Sequence, residues 1–131
     1  MRGVWRRSED GVKQPYFVGL EGGEPFAFAG LWQRLRDGNG EAVETCAILT
    51  TDANGLIRSI HPRMPVILRP ENHAAWLDPE LQDPERIAAL LVPRPAAEMV
   101  AYPVGLRVNN PIHDDPACRC PAASGEQGRL F

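Results

Sequence analysis

The sequence has no apolar run of the length that a membrane-spanning helix requires. Its longest candidates, Phe26 to Trp32 and Ile87 to Val92, are far too short. No secretory leader is expected in Met1-Arg2-Gly3-Val4-Trp5-Arg6-Arg7, which has basic residues with no apolar core behind them. Cysteine is scarce, with 3 residues: Cys46, Cys118 and Cys120. An odd number without a leader argues for a reducing compartment, hence the cytoplasm, and against a disulfide framework. The chain lacks a glycine-rich phosphate loop, a G-x-S-x-G elbow and any internal repeat. It also lacks an excess of positive charge. Fourteen basic side chains against 17 acidic ones give a net charge of -3. That excludes a grip on nucleic acid by bulk charge, although a local basic patch stays open.

What is present fits one domain or part of one. The chain has 131 residues, 44% hydrophobic and 24% charged, which is ordinary for a soluble globular protein. Glycine (12) and proline (13) are abundant, so many turns and short elements are expected rather than a helical bundle. Pro15 to Val18 reads as a strand. Pro25 to Trp32 is apolar on both alternating faces and is expected to be one buried strand, with Trp32 in the core. The turn Asp37-Gly38-Asn39-Gly40 returns the chain to a strand over Glu44 to Thr51, in which Cys46 is expected as a small buried hydrophobe. Asp52-Ala53-Asn54-Gly55 makes another sharp turn, and Pro65 to Leu68 is a short apolar strand. The middle of the chain is therefore expected to be a meander of antiparallel pairs.

The pattern changes at Pro70. Arg69 to Leu77, with Trp76 in the core, is expected to be a short helix. A second helix is expected from an Asp83 N-cap, with Pro84 at the first position, ending near Pro93. Met99 to Val108 reads as a strand interrupted by Pro103 and Gly105. Residues from about 117 onward are expected to form a surface tail. The fold class is α+β, mainly antiparallel sheet with two short helices.

Three groups of residues carry possible chemistry. His61 lies between a polar turn and an apolar strand, with Arg58 and Arg63 near it. A histidine there could transfer a proton near neutral pH, and the arginines could hold a phosphate or carboxylate. A turn-capping histidine beside solvated arginines explains the same residues equally well. Trp5-Arg6-Arg7 sets an aromatic beside two cations, which suits stacking on a base of a single strand. A terminal aromatic tucked under the sheet is the simpler alternative. Cys118-Arg119-Cys120 with His113 has poor spacing for a zinc site, so neither metal nor cofactor is expected.

Taken together, these stretches resemble the SRAP family, the SOS response-associated peptidases understood as abasic-site processing proteins. The matching segments are Lys13 to Phe17, Phe26 to Trp32, Glu44 to Asn54, His61 to Leu68, Trp76-Leu77, Val108 to Pro111 and Asp114 to Pro116. The A-G-L-W, T-T-x-A-N and H-x-R-M-P-V-I-L combinations are specific in order and spacing. The resemblance implies a sheet closed into a barrel, of which this chain carries the C-terminal part. It implies single-stranded DNA with abasic sites as partner. It also implies a covalent thiazolidine link to the open-chain aldehyde, and self-cleavage of the first residue to free a nucleophilic cysteine.

The family pattern departs here in three places. Position 2 is Arg2 rather than cysteine, the N-A-R-x-E segment is missing, and Val4 stands where the G-F-Y-E-W segment has its glutamate. A cysteine at that end supplies an amine to condense with the aldehyde and a thiol to close the ring, and Arg2 can do neither. On this resemblance His61 is the catalytic residue that carries over. Trp5, Thr50 and Arg63 match DNA-contacting positions, with Arg58 beside them. The chain alone is expected to be inactive in crosslinking, as the C-terminal part from a split, truncated or misannotated reading frame, and either another polypeptide supplies the missing N-terminal strands or the chain is marginally stable. The alternatives are a non-catalytic single-stranded DNA-binding module and a remnant without function.

Overall fold

A computed structural model describes residues 3–9 and 12–122, with side chains from Gln14 onward. Nine strands appear in chain order. They are β1 (Gly3–Glu9), β2 (Val12–Leu20), β3 (Ala27–Phe28), β4 (Gly30–Arg36), β5 (Ala42–Ile48), β6 (Thr50–Asp52), β7 (Arg63–Pro65), β8 (Ile67–Leu68) and β9 (Met99–Pro103). Two helices, α1 (His73–Leu77) and α2 (Pro84–Leu90), lie between β8 and β9. Every strand pairing among the described residues is antiparallel, in small open sheets, as the sequence suggested.

One sheet has the order β1-β2-β9, and Gln14 fastens it by donating from Nε2 to the carbonyl of Val104 at 2.9 Å. The remaining six strands pair as β3–β8, β4–β5 and β6–β7. They radiate from a triangle of backbone hydrogen bonds. Ala29 N donates to Val66 O (2.9 Å), Val66 N to Leu49 O (3.0 Å), and Leu49 N to Ala29 O (2.9 Å). At each corner one continuous segment leaves one partner and takes up another.

This junction corrects the reading of residues 25–32 as one buried strand. The segment splits at Ala29, which is fully buried, into β3 against β8 and β4 against β5. Beyond the junction β4 and β5 run outward as a two-stranded ribbon whose residues are all exposed. Trp32 is 74% exposed there, and Cys46 opposite it is exposed as well, so neither sits in the core. Alternation put apolar side chains on both faces of this segment, but both faces of β4 and β5 stay exposed. Gly40 closes the ribbon's turn at φ 83°, a left-handed conformation that glycine adopts without strain.

The core lies at the junction and on the side away from the ribbon. Val18, Phe26, Ala53, Ile57, Met64, Ile67 and Met99 form one buried cluster. Ala29, Val66 and Leu68 form a second, covered by Leu49, Trp76, Leu90 and Leu91. Trp76 is half-buried rather than fully enclosed, and its indole N–H donates to the Gly30 carbonyl at 3.2 Å. The expected first helix is a 3-10 turn over Pro70–Asn72 that continues as α1. The second begins as read, with the Asp83 carboxylate accepting from Glu85 N at 3.0 Å and Pro84 at the first position.

The expected strand to Val108 ends at Pro103. Val104 makes an isolated bridge with Pro121, and Leu106–Asn109 turns as a 3-10 segment. The segment up to Ala122 is tied back onto β9. Tyr102 donates its hydroxyl to Arg119 O at 3.0 Å, and Ala122 N donates to Pro103 O at 2.9 Å. Arg107 pairs with Asp115 at 2.6 Å. That bond raises the Arg107 pKa and holds the Asp115 carboxyl below its ordinary value. No helix among the described residues is long and apolar enough to cross a membrane.

Candidate functional site

The β6–β7 arm gathers the polar residues that the sequence singled out. Thr50 pairs with Pro65, Thr51 with Met64 and Asp52 with Arg63. Met64, between the two polar faces, is fully buried and anchors the arm in the core, while Thr50, Asp52, His61 and Arg63 stand exposed.

Arg63 is the centre of the group. Its Nη2 donates to the Thr50 carbonyl at 2.7 Å and to Thr50 Oγ1 at 3.1 Å. Its Nη1 donates to Asp52 Oδ1 at 3.0 Å. The guanidinium is thereby held flat against β6 in one orientation, still about half exposed. A fixed guanidinium fork of this kind suits an oxyanion better than a lysine would.

His61 is oriented by the backbone of the same arginine. Its Nδ1 lies 2.8 Å from Arg63 O and 3.1 Å from Arg63 N. When Nδ1 carries a proton it can donate to the carbonyl. When Nδ1 carries a lone pair it can accept from the amide. The ring therefore keeps its place in either protonation state, which is what a proton-transfer group needs.

The turn from Ala53 to Pro62 holds these parts together. Ala53 N donates to Pro62 O at 3.0 Å, and Arg58 Nη2 donates to Ala53 O at 3.3 Å. Arg58 thus joins the loop from outside, with an exposed side chain. Trp5 is placed elsewhere, on β1 opposite Tyr16 in the three-stranded sheet, and its side chain lies outside the described residues. Among the described residues no group of three or more His, Cys, Asp or Glu side chains could hold an ion.

Two residues that sequence reasoning passed over prove central. Asp52 is the counter-ion of Arg63. Asn54 is a hub. Its Oδ1 accepts from Leu56 N (3.1 Å) and Ile57 N (3.0 Å), and its Nδ2 donates to Arg94 O (2.7 Å). An Asn before glycine in a turn announces an Asx turn, and that much was readable. The long-range bond to Arg94 had no local signal.

The class is now defined: a small, mainly antiparallel α+β protein whose candidate arginine–histidine site lies exposed on one arm of a strand junction. Residues 4–111 match the family model for SOS response associated peptidase (SRAP), and the chain belongs to that family. It is 41% identical over 112 residues to the abasic site processing protein YoqW of Bacillus subtilis, covering 86% of this chain and 50% of that one. It is 39% identical over 87 residues to the abasic site processing protein HMCES of Gallus gallus, covering 66% of this chain and 25% of that one. A crystal structure of a protein from Bacteroides thetaiotaomicron superposes with a TM-score of 0.81 at 34% identity, over 93% of this chain and 54% of that one. The chain spans about half the length of the curated Bacillus relatives it matches.

Proposed function

We propose that this chain carries the DNA-contacting and proton-transferring part of an abasic-site processing protein. The supporting observation is the convergence of Thr50, His61 and Arg63 on one exposed arm, with the arginine and the imidazole both held in fixed orientations. In this reading Arg63 and Arg58 meet phosphates flanking an abasic nucleotide in single-stranded DNA. Thr50 completes the contact, and Trp5 stacks on a neighbouring base. His61 assists proton transfer as the sugar ring opens to its aldehyde.

The covalent step needs an amine and a thiol on one terminal cysteine, and position 2 here is Arg2. These 131 residues contain no such cysteine, so on their own they bind abasic DNA weakly and form no covalent link. Self-cleavage likewise requires that cysteine. The family's N-terminal strands, joined to this segment or carried by a second polypeptide, complete the barrel, and the place of action is the cytoplasm, on DNA. The β4–β5 ribbon favours such a completion, since Leu31, Trp32, Leu35, Val43 and Ile48 stand exposed along it.

The test is fluorescence anisotropy of labelled single-stranded DNA bearing one abasic site, titrated with the chain at several salt concentrations. Binding should weaken as salt rises and should drop on Arg63→Ala while His61→Ala changes it little. No salt-sensitive binding would sink the proposal. A denaturing gel of the same mixtures should show free DNA, and an adduct surviving denaturation contradicts the assignment of the covalent step to residues outside this chain. Adding a polypeptide with the family's N-terminal cysteine segment should restore the adduct in wild type and diminish it in His61→Ala.

A further inference from the structure

We infer that the chain has a second binding site, for a small monoanionic carboxylate, between the end of β8 and the segment after α2. This inference is independent of the DNA reading. A cavity of about 120 Å³ lies there, several times what one water molecule needs. Arg69 and Arg94 line it together with Asn72, and the rest of the wall is apolar, including Ile67, Leu90 and Val92. Apolar walls with a few convergent polar groups are the usual anatomy of a small-ligand site.

The charges around it do not balance. Glu98 Oε1 accepts from Arg69 Nη2 at 2.7 Å, and its Oε2 forms an ion pair with Arg94 Nε at 2.5 Å. One carboxylate thus serves two guanidiniums, and both of its oxygens are engaged. The hydrogen bond from Arg69, with the charge of Arg94 added, holds the Glu98 carboxyl below its ordinary pKa, so it stays ionised. The three side chains sum to one positive charge. Arg94 is only 12% exposed, and its buried Nη1 meets no acceptor among the described residues. An anion in the cavity offsets the unbalanced positive charge that the two arginines leave beside Glu98.

Arg94 is also pre-positioned. Pro93 and Pro95 flank it and fix the local backbone, and its carbonyl accepts from Asn54 Nδ2 at 2.7 Å. A guanidinium set in this way binds with less ordering cost than one on a free loop. The remaining single positive charge matches a monoanion. A phosphate dianion would leave a negative charge in excess beside Glu98. The aliphatic wall takes a short hydrocarbon stem, so the ligand class is a short-chain carboxylate.

The experiment is a titration of the full chain with butyrate in chloride-free buffer, followed by methyl resonances in protein NMR. Saturable shifts confined to the methyl groups of Ile67, Leu90 and Val92 are expected. Arg94→Gln should weaken the binding about tenfold or more, the loss of a hydrogen bond to a charged group. Arg86→Gln, on an exposed position of α2, should leave it unchanged. Butylammonium should give no saturable shift. Should Arg94→Gln fail to fold, Arg69→Gln replaces it with the same expectation. Absence of saturable butyrate shifts in wild type overturns the assignment, as does equal affinity in the folded glutamine variant. Tighter binding of inorganic phosphate than of butyrate overturns the carboxylate class.

Discussion

Replacing Asn54 by alanine should remove about 3 kcal/mol of folding stability. The side chain makes three conventional hydrogen bonds, to Leu56 N, Ile57 N and Arg94 O, at 2.7 to 3.1 Å. A net contribution of about 1 kcal/mol each gives that sum. The loss of a turn cap alone, about 1 kcal/mol, sets the floor. The figure is a large share of the roughly 5–15 kcal/mol available to a domain of ordinary stability. Asn54→Asp separates the two halves of the effect. It keeps the oxygen that caps Leu56 and Ile57 but loses the donor to Arg94 O, so it should cost less than alanine. Urea denaturation followed by tryptophan fluorescence measures both. A loss below about 1 kcal/mol in Asn54→Ala, with the urea dependence unchanged, would refute the view of Asn54 as the tie between the site loop and the 94–99 segment.

Other outcomes follow from the same contacts. Asp52→Asn should tighten binding of abasic single-stranded DNA several-fold, because it removes the charge that neutralises Arg63, and anisotropy titration reads this. Arg63→Ala should lower the slope of log affinity against log salt by about one phosphate contact. Ile57→Ala should cost about 2–5 kcal/mol in urea denaturation, since Ile57 is fully buried. Trp32→Ser should stay within about 0.5 kcal/mol, because that side chain is exposed. Glu98 has a carboxyl pKa lowered by folding, so its stabilisation is complete above the unfolded value and fades as pH falls through the folded one. Glu98→Gln should therefore lose less stability than wild type between about pH 6 and about pH 3 in the same assay.

Local chemistry made much of this fold legible. Asp83-Pro84-Glu85 marks a helix start through cap and φ preferences that act within one turn, and α2 begins there. Asp37 to Gly40 marks the ribbon turn, with Asp37 Oδ1 accepting from Asn39 N and Glu41 N. The burial of Trp32 and Cys46 was misread, because alternation reveals which residues share a face but not what covers that face. The split at Ala29 was also illegible. It depends on carbonyl and amide partners at Leu49 and Val66, and nothing in the local sequence names them. His61 and Arg63 stood out beside a polar turn, but their spacing left a turn-capping reading open and only the family resemblance singled them out. The pairing of Asp52 with Arg63 follows from the β6–β7 register, which only the folded arm defines.

The triangle of Ala29, Leu49 and Val66 also bears on how the chain folds. Two of its hydrogen bonds, Leu49 N to Ala29 O and Val66 N to Leu49 O, extend the β4–β5 and β6–β7 hairpins. Each hairpin can set its own register, but neither supplies the third bond, from Ala29 N to Val66 O, which joins the ends of both. Loop-closure entropy must therefore be met for all three segments before the triangle closes. The junction should close late. Until it closes, the arm carrying Thr50 and Arg63 has no fixed base, so the polar site takes its place in the same step that commits the chain to its topology.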